Sequence, residues 1–280
     1  MKSFCSLTVL AALALSASNV VSSAAVPDQP PSPYSQSFAA RMDLDDPVTT
    51  QRGGPKGPKG FFESLILPNK TVTRVRDPAS AVTSKFYIPD NTGPARWSCR
   101  YQTEEVKITK EGAVISIGRN DQKKPYSCGE LVSLEEPHYG TYSVDMISSN
   151  VRGHVTGFFL IANGISEIDM ELTGLDSKYL WINIWKRSVQ HPIKVPLGFD
   201  ASKDWHTYSF EWRENFIAWY VDGKLIRKRS DVSTKDPDDT KYRLALNSWT
   251  HNDVDDWAGR FVMPKNGTVE SKFRNLRYTP

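Results

Sequence analysis

The sequence predicts an all-β protein built as an antiparallel β-sandwich. From residue 84 onward, short runs of alternating apolar and polar residues, or of β-branched residues, recur along the chain. Turn residues separate these runs, and no segment shows the sustained apolar period that a helix requires. Strands without interleaved helices form sandwiches or barrels, and 280 residues are long for a small barrel, so we favour the sandwich.

The predicted strands follow one another in chain order. They are EEVKITK, AVISIGR, GTYSVDMIS, GHVTGFFLIA, EIDMELTG, YLWINIWK, HTYSFEWRE, FIAWYVDG, KLIRKR, YRLALNSW and SKFRNLRYT. Within YVDGKLI, Asp222 and Gly223 predict a hairpin, because both residues tolerate the positive φ of a two-residue type I′ turn.

The first 25 residues are predicted to be a signal peptide. Lys2 gives a positive start, LTVLAALALSA an apolar stretch, and SSAA the small residues of a cleavage site. The apolar stretch is shorter than the ~20 residues that span a bilayer. No hydrophobic tail follows Tyr278, so no GPI anchor is expected. We therefore expect a secreted, extracellular or cell-wall protein without a membrane anchor.

Residues 26–83 differ in composition from the rest. VPDQPPSPYSQS and QRGGPKGPKG are rich in Pro, Gly and polar residues and carry no apolar period, which predicts a weakly ordered lead-in. FFESLILP is an exception that either docks on the domain or belongs to a propeptide contact. The β-sandwich domain is expected to occupy residues 84–280.

Charge excludes one class of partner. The net charge is +3, and acidic and basic residues alternate along most of the chain instead of forming a basic stripe. Nucleic acid is therefore not expected as a partner. We expect a monomer.

The cysteines and sequons fit an oxidising compartment. Cys5 lies in the signal peptide, so the mature chain keeps Cys99 and Cys128, and a disulfide between them is predicted. Asn69 and Asn266 begin Asn-x-Thr sequons and are candidate glycosylation sites.

Three acidic residues share one face of a predicted strand. In EIDMELTG, alternation places Glu167, Asp169 and Glu171 on one face, with the intervening apolar residues on the other. A single acid would suit an ordinary amphipathic strand. Three neighbouring like charges repel one another, and carboxylates are poor strand formers, so we infer a function that offsets this cost.

Clustered carboxylates serve two chemistries, the binding of Ca²⁺ or Mg²⁺ and the cleavage of glycosidic bonds. The next predicted strand, YLWINIWK, places a stripe of rings and an amide on one face: Tyr179, Trp181, Asn183 and Trp185. The opposite, aliphatic face satisfies the core without them, which favours a cleft where sugar rings stack. The sequence therefore favours glycoside cleavage over metal binding.

Several separate segments then resemble glycoside hydrolase family 16, the laminarinase and lichenase group. EIDMELTG resembles the Glu-x-Asp-x-Glu signature of that family. LGFDASKDWHTYSFEWRENFIAWYVDGK, ALNSWTHNDVDDWAGRF, and the pair WSCR and YSCGEL resemble bacterial β-1,3-1,4-glucanases in order and spacing. The resemblance covers about residues 96–278.

The resemblance implies a concanavalin-like β-jelly-roll sandwich with a substrate groove across its concave sheet, and retention of configuration. It implies that Glu167 is the nucleophile, Asp169 the assisting carboxylate and Glu171 the general acid/base. The residues that would contact substrate are Glu130, Phe159, Asn183, Trp185, Asn247, Trp249 and Trp257. It implies a disulfide between Cys99 and Cys128 as well.

Five positions depart from the lichenase pattern. Ile165 and Ser166 stand where an aromatic platform precedes the nucleophile, Val132 replaces an Arg, and Ile161 replaces an aromatic residue. Arg274 stands at the place of a calcium-binding Asp, so no metal ligands are assigned.

We therefore expect a secreted retaining endo-β-glucanase that cleaves β-1,3 or β-1,4 bonds, or both, and needs no cofactor. Its partner would be a β-glucan polysaccharide or oligosaccharide. A cell-wall glucan transglycosylase of the same fold is the first alternative. A catalytically silent carbohydrate-binding protein is the second, although such a protein would be expected to lack Glu167 or Glu171.

Overall fold

The architecture comes from a computed structural model of the chain. The structure describes residues 73–74, 81–82, 85–94, 97–120, 123–162, 166–186, 189–230, 241–252, 256–265 and 268–280. The predicted signal peptide, most of the predicted lead-in, Asn69 and Asn266 lie outside these residues.

Eighteen strands and one short 3₁₀ turn, Thr103–Glu105, are found in the described ranges. The strands are β1 Thr73–Arg74, β2 Ala81–Val82, β3 Phe86–Ile88, β4 Cys99–Tyr101, β5 Val106–Thr109, β6 Gly112–Arg119, β7 Tyr126–Ser133, β8 Gly140–Ile147, β9 His154–Ala162, β10 Ser166–Thr173, β11 Tyr179–Lys186, β12 Val189–Gln190, β13 Ile193–Pro196, β14 His206–Arg213, β15 Phe216–Val221, β16 Lys224–Arg229, β17 Arg243–Thr250 and β18 Val269–Thr279.

The strands form two sheets that are joined through β6 and β7. The front sheet runs in the order β1, β2, β3, β7, β17, β9, β10, β11, with β12 and β13 both paired to β11. The back sheet runs in the order β5, β6, β18, β8, β14, β15, β16. All these pairs are antiparallel, whereas β4 joins β7 as a parallel strand. The predicted all-β sandwich is confirmed.

The core lies between the two sheets and explains the alternation in the sequence. On β10, the buried side chains of Ile168, Met170 and Leu172 belong to the main apolar cluster, where they meet Phe158 and Leu160 of β9. The back sheet contributes every second residue of β14, starting from Tyr208, to the same cluster. The other face of the front sheet, which we call the groove face, is therefore left for polar and aromatic side chains.

The predicted hairpin turn is confirmed. Asp222 and Gly223 connect β15 to β16 with φ values of 50° and 74°, as a type I′ turn requires. The turn thus fixes the register of the edge strand β16.

Several strands carry a weaker sequence signal than those predicted. β7 lies in YSCGELVS, whose Ser, Cys and Gly residues do not follow a simple alternation, and all but its first residue are buried. β12 and β13 are two and four residues long. β1 and β2 fall inside the predicted lead-in and extend the front sheet from β3, so the sheet begins before residue 84.

The structure forms a disulfide between Cys99 and Cys128. It joins β4 to β7 next to the point where Tyr101 lies opposite Cys128. Among the described residues, none forms a helix long and apolar enough to cross a membrane.

Candidate active site

The three acids lie on β10, an inner strand of the front sheet. Strand β10 is flanked by β9 and β11, so the acids have a neighbouring residue on each side. The cross-strand partners on β11 are Trp185 for Glu167, Asn183 for Asp169 and Trp181 for Glu171. The partners on β9 are Ile161, Phe159 and Gly157, in the same order. The alternation predicted from the sequence therefore brings the acids and the aromatic stripe onto the groove face together.

The acids are almost completely buried. Glu167 is 4% exposed, Asp169 1% and Glu171 7%. Carboxylates are rarely buried to this extent without a charged partner. The site thus holds three carboxyl groups that lie close together and are shielded from water.

Burial raises the pKa of Glu167 well above its usual range, and the charges of Asp169, Glu171 and Glu130 raise it further. Burial raises the pKa of Asp169 to about 7, although Glu167, Asn183 and Trp185 lie near enough to lower it. Neither carboxyl oxygen of Asp169 makes a hydrogen bond of standard geometry. Because both values are raised, the Glu167 and Asp169 pair retains a proton at pH values where exposed carboxyls have lost theirs.

Asn183 is oriented by the backbone. The backbone N–H of His191 donates a hydrogen bond of 2.8 Å to its Oδ1 atom. This bond assigns the oxygen end of the amide, so the NH₂ group is left for other acceptors. Asn183 faces Asp169 across the strand pair and helps to lower the pKa of that carboxyl.

A second polar group lies on the opposite side of the acids. Glu130 on β7 and Asn247 on β17 are cross-strand partners. The hydroxyl of Tyr101 donates to Oε1 of Glu130 at 3.0 Å, and Nδ2 of Asn247 lies 3.3 Å from that hydroxyl and 3.4 Å from the same carboxyl oxygen. All three side chains are buried. Sequence reasoning missed Tyr101, whose signal was its position two residues after Cys99.

Gly157 leaves space between Glu171 and Asn247. It is the β9 partner of Glu171 and also the partner of Asn247 on β17. A Cβ atom at Gly157 would lie 2.4 Å from Oδ1 of Asn247, so a side chain at this position would displace that amide. The Asn247 side chain therefore fits beside Glu171 because position 157 carries no side chain, a feature that the sequence did not single out.

An apolar patch adjoins Glu167 and Asp169. Phe159, Ile161, Val132 and Ala245 form a separate buried cluster with Tyr87 packed against it. Phe159 is the partner of Asp169, and Ile161 is the partner of Glu167. The substitutions noted at Val132 and Ile161 thus lie together in one aliphatic surface. Ser166 is the first residue of β10, whereas Ile165 lies outside the described residues.

Trp249 and Trp257 belong to an aromatic cluster at the far end of β17. Trp249 is completely buried and stacks on Trp97, with ring centroids 4.4 Å apart. Trp257 is partly exposed and tilts against Trp249 at 5.7 Å. Of the two predicted sugar contacts in this cluster, Trp257 is thus the one with an accessible ring.

Arg274 lies on the back sheet, away from the acids. Its Nε atom donates to Oδ2 of Asp145 at 3.3 Å, and its guanidinium lies 4.2 Å from the ring of Trp205. In the part of the chain that the structure describes, no group of three His, Cys, Asp or Glu side chains is arranged to hold a metal ion.

Known proteins share both the sequence pattern and the fold. Residues 94–265 match the family model of glycosyl hydrolases family 16. A β-glucanase of Bacillus subtilis is 30% identical over 215 residues, which cover 72% of this chain and 87% of that protein. A β-glucanase of Paenibacillus macerans is 32% identical over 171 residues, which cover 59% of this chain and 70% of the relative.

The structural comparison agrees with these relatives. The β-glucanase of Bacillus licheniformis superimposes with a TM-score of 0.66 at 26% identity, over 80% of this chain and 100% of that structure. The catalytic domain of the Thermotoga maritima laminarinase shares the fold, with a TM-score of 0.60 at 19% identity. The resemblance stated from the motifs is confirmed: the chain belongs to glycosyl hydrolase family 16 and is a glycoside hydrolase.

Proposed function

We propose that this protein is a secreted endo-β-glucanase that cleaves β-1,3 or β-1,4 bonds, or both, with retention of configuration. The observation that carries the proposal is the row of Glu167, Asp169 and Glu171 on one buried face of β10, bordered by Asn183 and Trp185. The names of the similar proteins support the glucan substrate.

In the first step, the carboxylate of Glu167 attacks the anomeric carbon while the carboxyl of Glu171 gives its proton to the leaving oxygen. The bond from Glu167 to the sugar forms as the glycosidic bond breaks. The products of this step are a glycosyl-enzyme and a shortened sugar chain with a new hydroxyl group.

Asp169 prepares Glu167 for this attack. The two carboxyl groups lie in one buried site, and they share a proton at neutral pH because the pKa values of both are raised. With the proton on Asp169, Glu167 is the anion that attacks. Asn183 lies opposite Asp169 on β11 and helps to lower the pKa of that carboxyl.

In the second step, Glu171 takes a proton from water as the water oxygen attacks the anomeric carbon. The bond to Glu167 breaks, and the sugar is released with its original configuration. We propose that Glu130 and Asn247, which are joined through Tyr101, accept and donate hydrogen bonds to sugar hydroxyls on one side of the acids.

The substrate is expected to differ in detail from that of a lichenase. The aliphatic surface formed by Val132, Ile161 and Ala245 adjoins the acids and offers no hydrogen-bonding side chain to a sugar. Incubation with laminarin, lichenan, cellulose and xyloglucan oligosaccharides, followed by mass spectrometry, tests the proposal. Shorter oligosaccharides that are absent with Glu167→Ala are expected, and NMR of the first-formed anomer tests retention.

A glucan transglycosylase is the second candidate, and the deep burial of the acids favours it. Exclusion of water from the site would prolong the glycosyl-enzyme until a sugar hydroxyl arrives. Products longer than the donor, formed when acceptor sugars are added, would identify this activity. No product from any glucan, with a folded protein, would instead indicate a carbohydrate-binding protein.

Secretion belongs to the same proposal. Its support is the positive start, apolar stretch and small residues of the first 25 positions. Expression in a secreting host and mass spectrometry of the mature amino terminus would test it, and full-length protein retained in the cell would contradict it.

A further inference from the structure

Three side chains at the outer edge of the groove face have no role in the mechanism above: Tyr179, Trp181 and Lys194. Tyr179 and Trp181 lie on β11, on the same face as Asn183 and Trp185, while the residues between them enter the core. Lys194 on β13 is the cross-strand partner of Trp181. We call these three residues the edge cluster. All three are at least partly exposed.

Trp181 is the direct neighbour of the general acid/base. The register places Trp181 opposite Glu171, whereas Trp185 lies opposite Glu167. The other neighbour of Glu171, on β9, is Gly157, which has no side chain. Trp181 is therefore the side chain that flanks Glu171 from an adjacent strand.

The third member of the cluster, Lys194, has its charge balanced by aromatic rings and a carboxylate. Its Nζ atom lies 4.1 Å from the centroid of the Tyr179 ring and 5.8 Å from that of Trp181. The same atom is 3.5 Å from Oδ2 of Asp176. An ammonium group held by a ring face and a carboxylate retains hydrogen-bond donors, but it does not demand an anionic partner.

We propose that the edge cluster is a sugar-binding subsite for a neutral glucose unit on the leaving-group side of the scissile bond, an assignment that rests on the proposed function. Trp181 supplies the ring on which the sugar stacks. Lys194 donates to a sugar hydroxyl, and Tyr179 positions Lys194. The sugar held there is the leaving group during cleavage and the acceptor during transfer, because Glu171 exchanges a proton with the same oxygen in both directions.

The test compares two substrates that share the donor sugars. One is a glucan oligosaccharide that the wild type cleaves, and the other is an aryl glycoside that has no sugar beyond the scissile bond. Trp181→Ala should lower kcat/KM for the oligosaccharide by about tenfold, as expected for the loss of one buried aromatic contact. Its effect on the aryl glycoside should be much smaller. Trp181→Phe, the matched control, should retain most activity on both, and Lys194→Ala should show a weaker form of the same selectivity.

An equal loss on both substrates in a folded Trp181→Ala protein would overturn the proposal, and so would no loss on either. A separate binding measurement does not depend on turnover. In protein inactivated by Glu167→Gln, calorimetry with cellotetraose and laminaritetraose should show weaker binding when Trp181→Ala is added. If the wild type produced nothing but this difference persisted, the subsite would stand and the proposed function would fail. If turnover were normal and the difference absent, the subsite alone would fail.

Discussion

At the residue scale, Glu171 differs from the other two acids in what its removal should do. We expect Glu171→Ala to slow cleavage of glucans, which have poor leaving groups, by about 10²–10⁴-fold, the usual contribution of a general acid. Activated aryl glycosides need little protonation and should be affected far less. Steady-state kinetics on both substrates check this, and an equal loss on both would argue against the acid role.

Asp169 is expected to lower the stability of the fold at neutral pH. Its pKa is raised to about 7 in the folded protein, above the ordinary value of the unfolded chain. Its favourable contribution is therefore complete in acid and is lost as the pH rises through about 7. Relative to wild type, Asp169→Asn should gain about 2–4 kcal/mol of unfolding free energy between pH 4 and pH 8.

Urea unfolding at several pH values measures this gain. Glu111→Gln makes the same carboxyl-to-amide change at an exposed position and should show no comparable effect. A pH-independent difference between Asp169→Asn and wild type would contradict the raised pKa. Active sites often hold groups that are unfavourable for stability, so this cost is consistent with a catalytic role.

His154 is expected to lower the stability of the fold in acid, which is the reverse of the pH dependence expected for Asp169. The imidazole is completely buried with Nε2 2.8 Å from Oγ of Ser248, and burial lowers the pKa of His154 to about 3. Its contribution to stability is complete above the unfolded value near 6.5 and is lost as the pH falls. Between pH 6.5 and pH 4, the wild type should therefore lose about 3 kcal/mol more unfolding free energy than His154→Gln.

Ser248→Ala is the control for this prediction, because it removes the hydrogen-bond partner but leaves the buried imidazole. Unfolding of the three proteins across this pH range checks the prediction. If His154→Gln and wild type lost the same unfolding free energy in acid, groups other than His154 would be responsible for that loss.

Much of the candidate site could be predicted at this scale, and the reason is local. The period of two in a strand fixes which side chains share a face, so the acids of β10 and the stripe of β11 could be placed together from the sequence. The link from Tyr101 to Glu130 and Asn247 could not, because three strands distant in sequence must first meet. Resemblance supplied Glu130 and Asn247, and only the fold shows the part that Tyr101 plays.

At the element scale, the disulfide connects the stability of β4 to the groove. Cys99 and Cys128 close a loop of 29 residues, and the parallel pairing of β4 with β7 brings Tyr101 to Glu130. Replacing both cysteines by Ala should lower the unfolding free energy by about 2–4 kcal/mol. It should also weaken glucan binding, because the position of Tyr101 depends on β4.

Denaturant unfolding and KM measurements check both effects, with reduced wild type as the matched comparison. Unchanged stability in the double variant would show that the pairing of β4 with β7 does not need the covalent link. An unchanged KM would separate the disulfide from the site.

The strands that sequence reasoning missed lack a readable alternation, for two reasons. β7 carries Ser, Cys and Gly at successive positions, so its sequence does not show the alternation by which strands are detected. β12 and β13 are too short to show a period. The long, half-buried strands of the back sheet, such as β8 and β14, alternate clearly and were predicted.

At the scale of the whole molecule, composition and periodicity predicted two packed sheets but could not give the order of strands within them. The predicted strands are adjacent in sequence, whereas the front sheet places β17 between β7 and β9. Such pairings depend on the packing of the complete core, which no local pattern records.

Strands β17 and β18 also determine when the two sheets can be completed. β17 fills the gap between β7 and β9 in one sheet, and β18 fills the gap between β6 and β8 in the other. A nascent chain on the ribosome therefore cannot complete the front sheet before β17 has been synthesised, or the back sheet before β18. During that interval the open edges of β6 to β9 need protection from association with other chains.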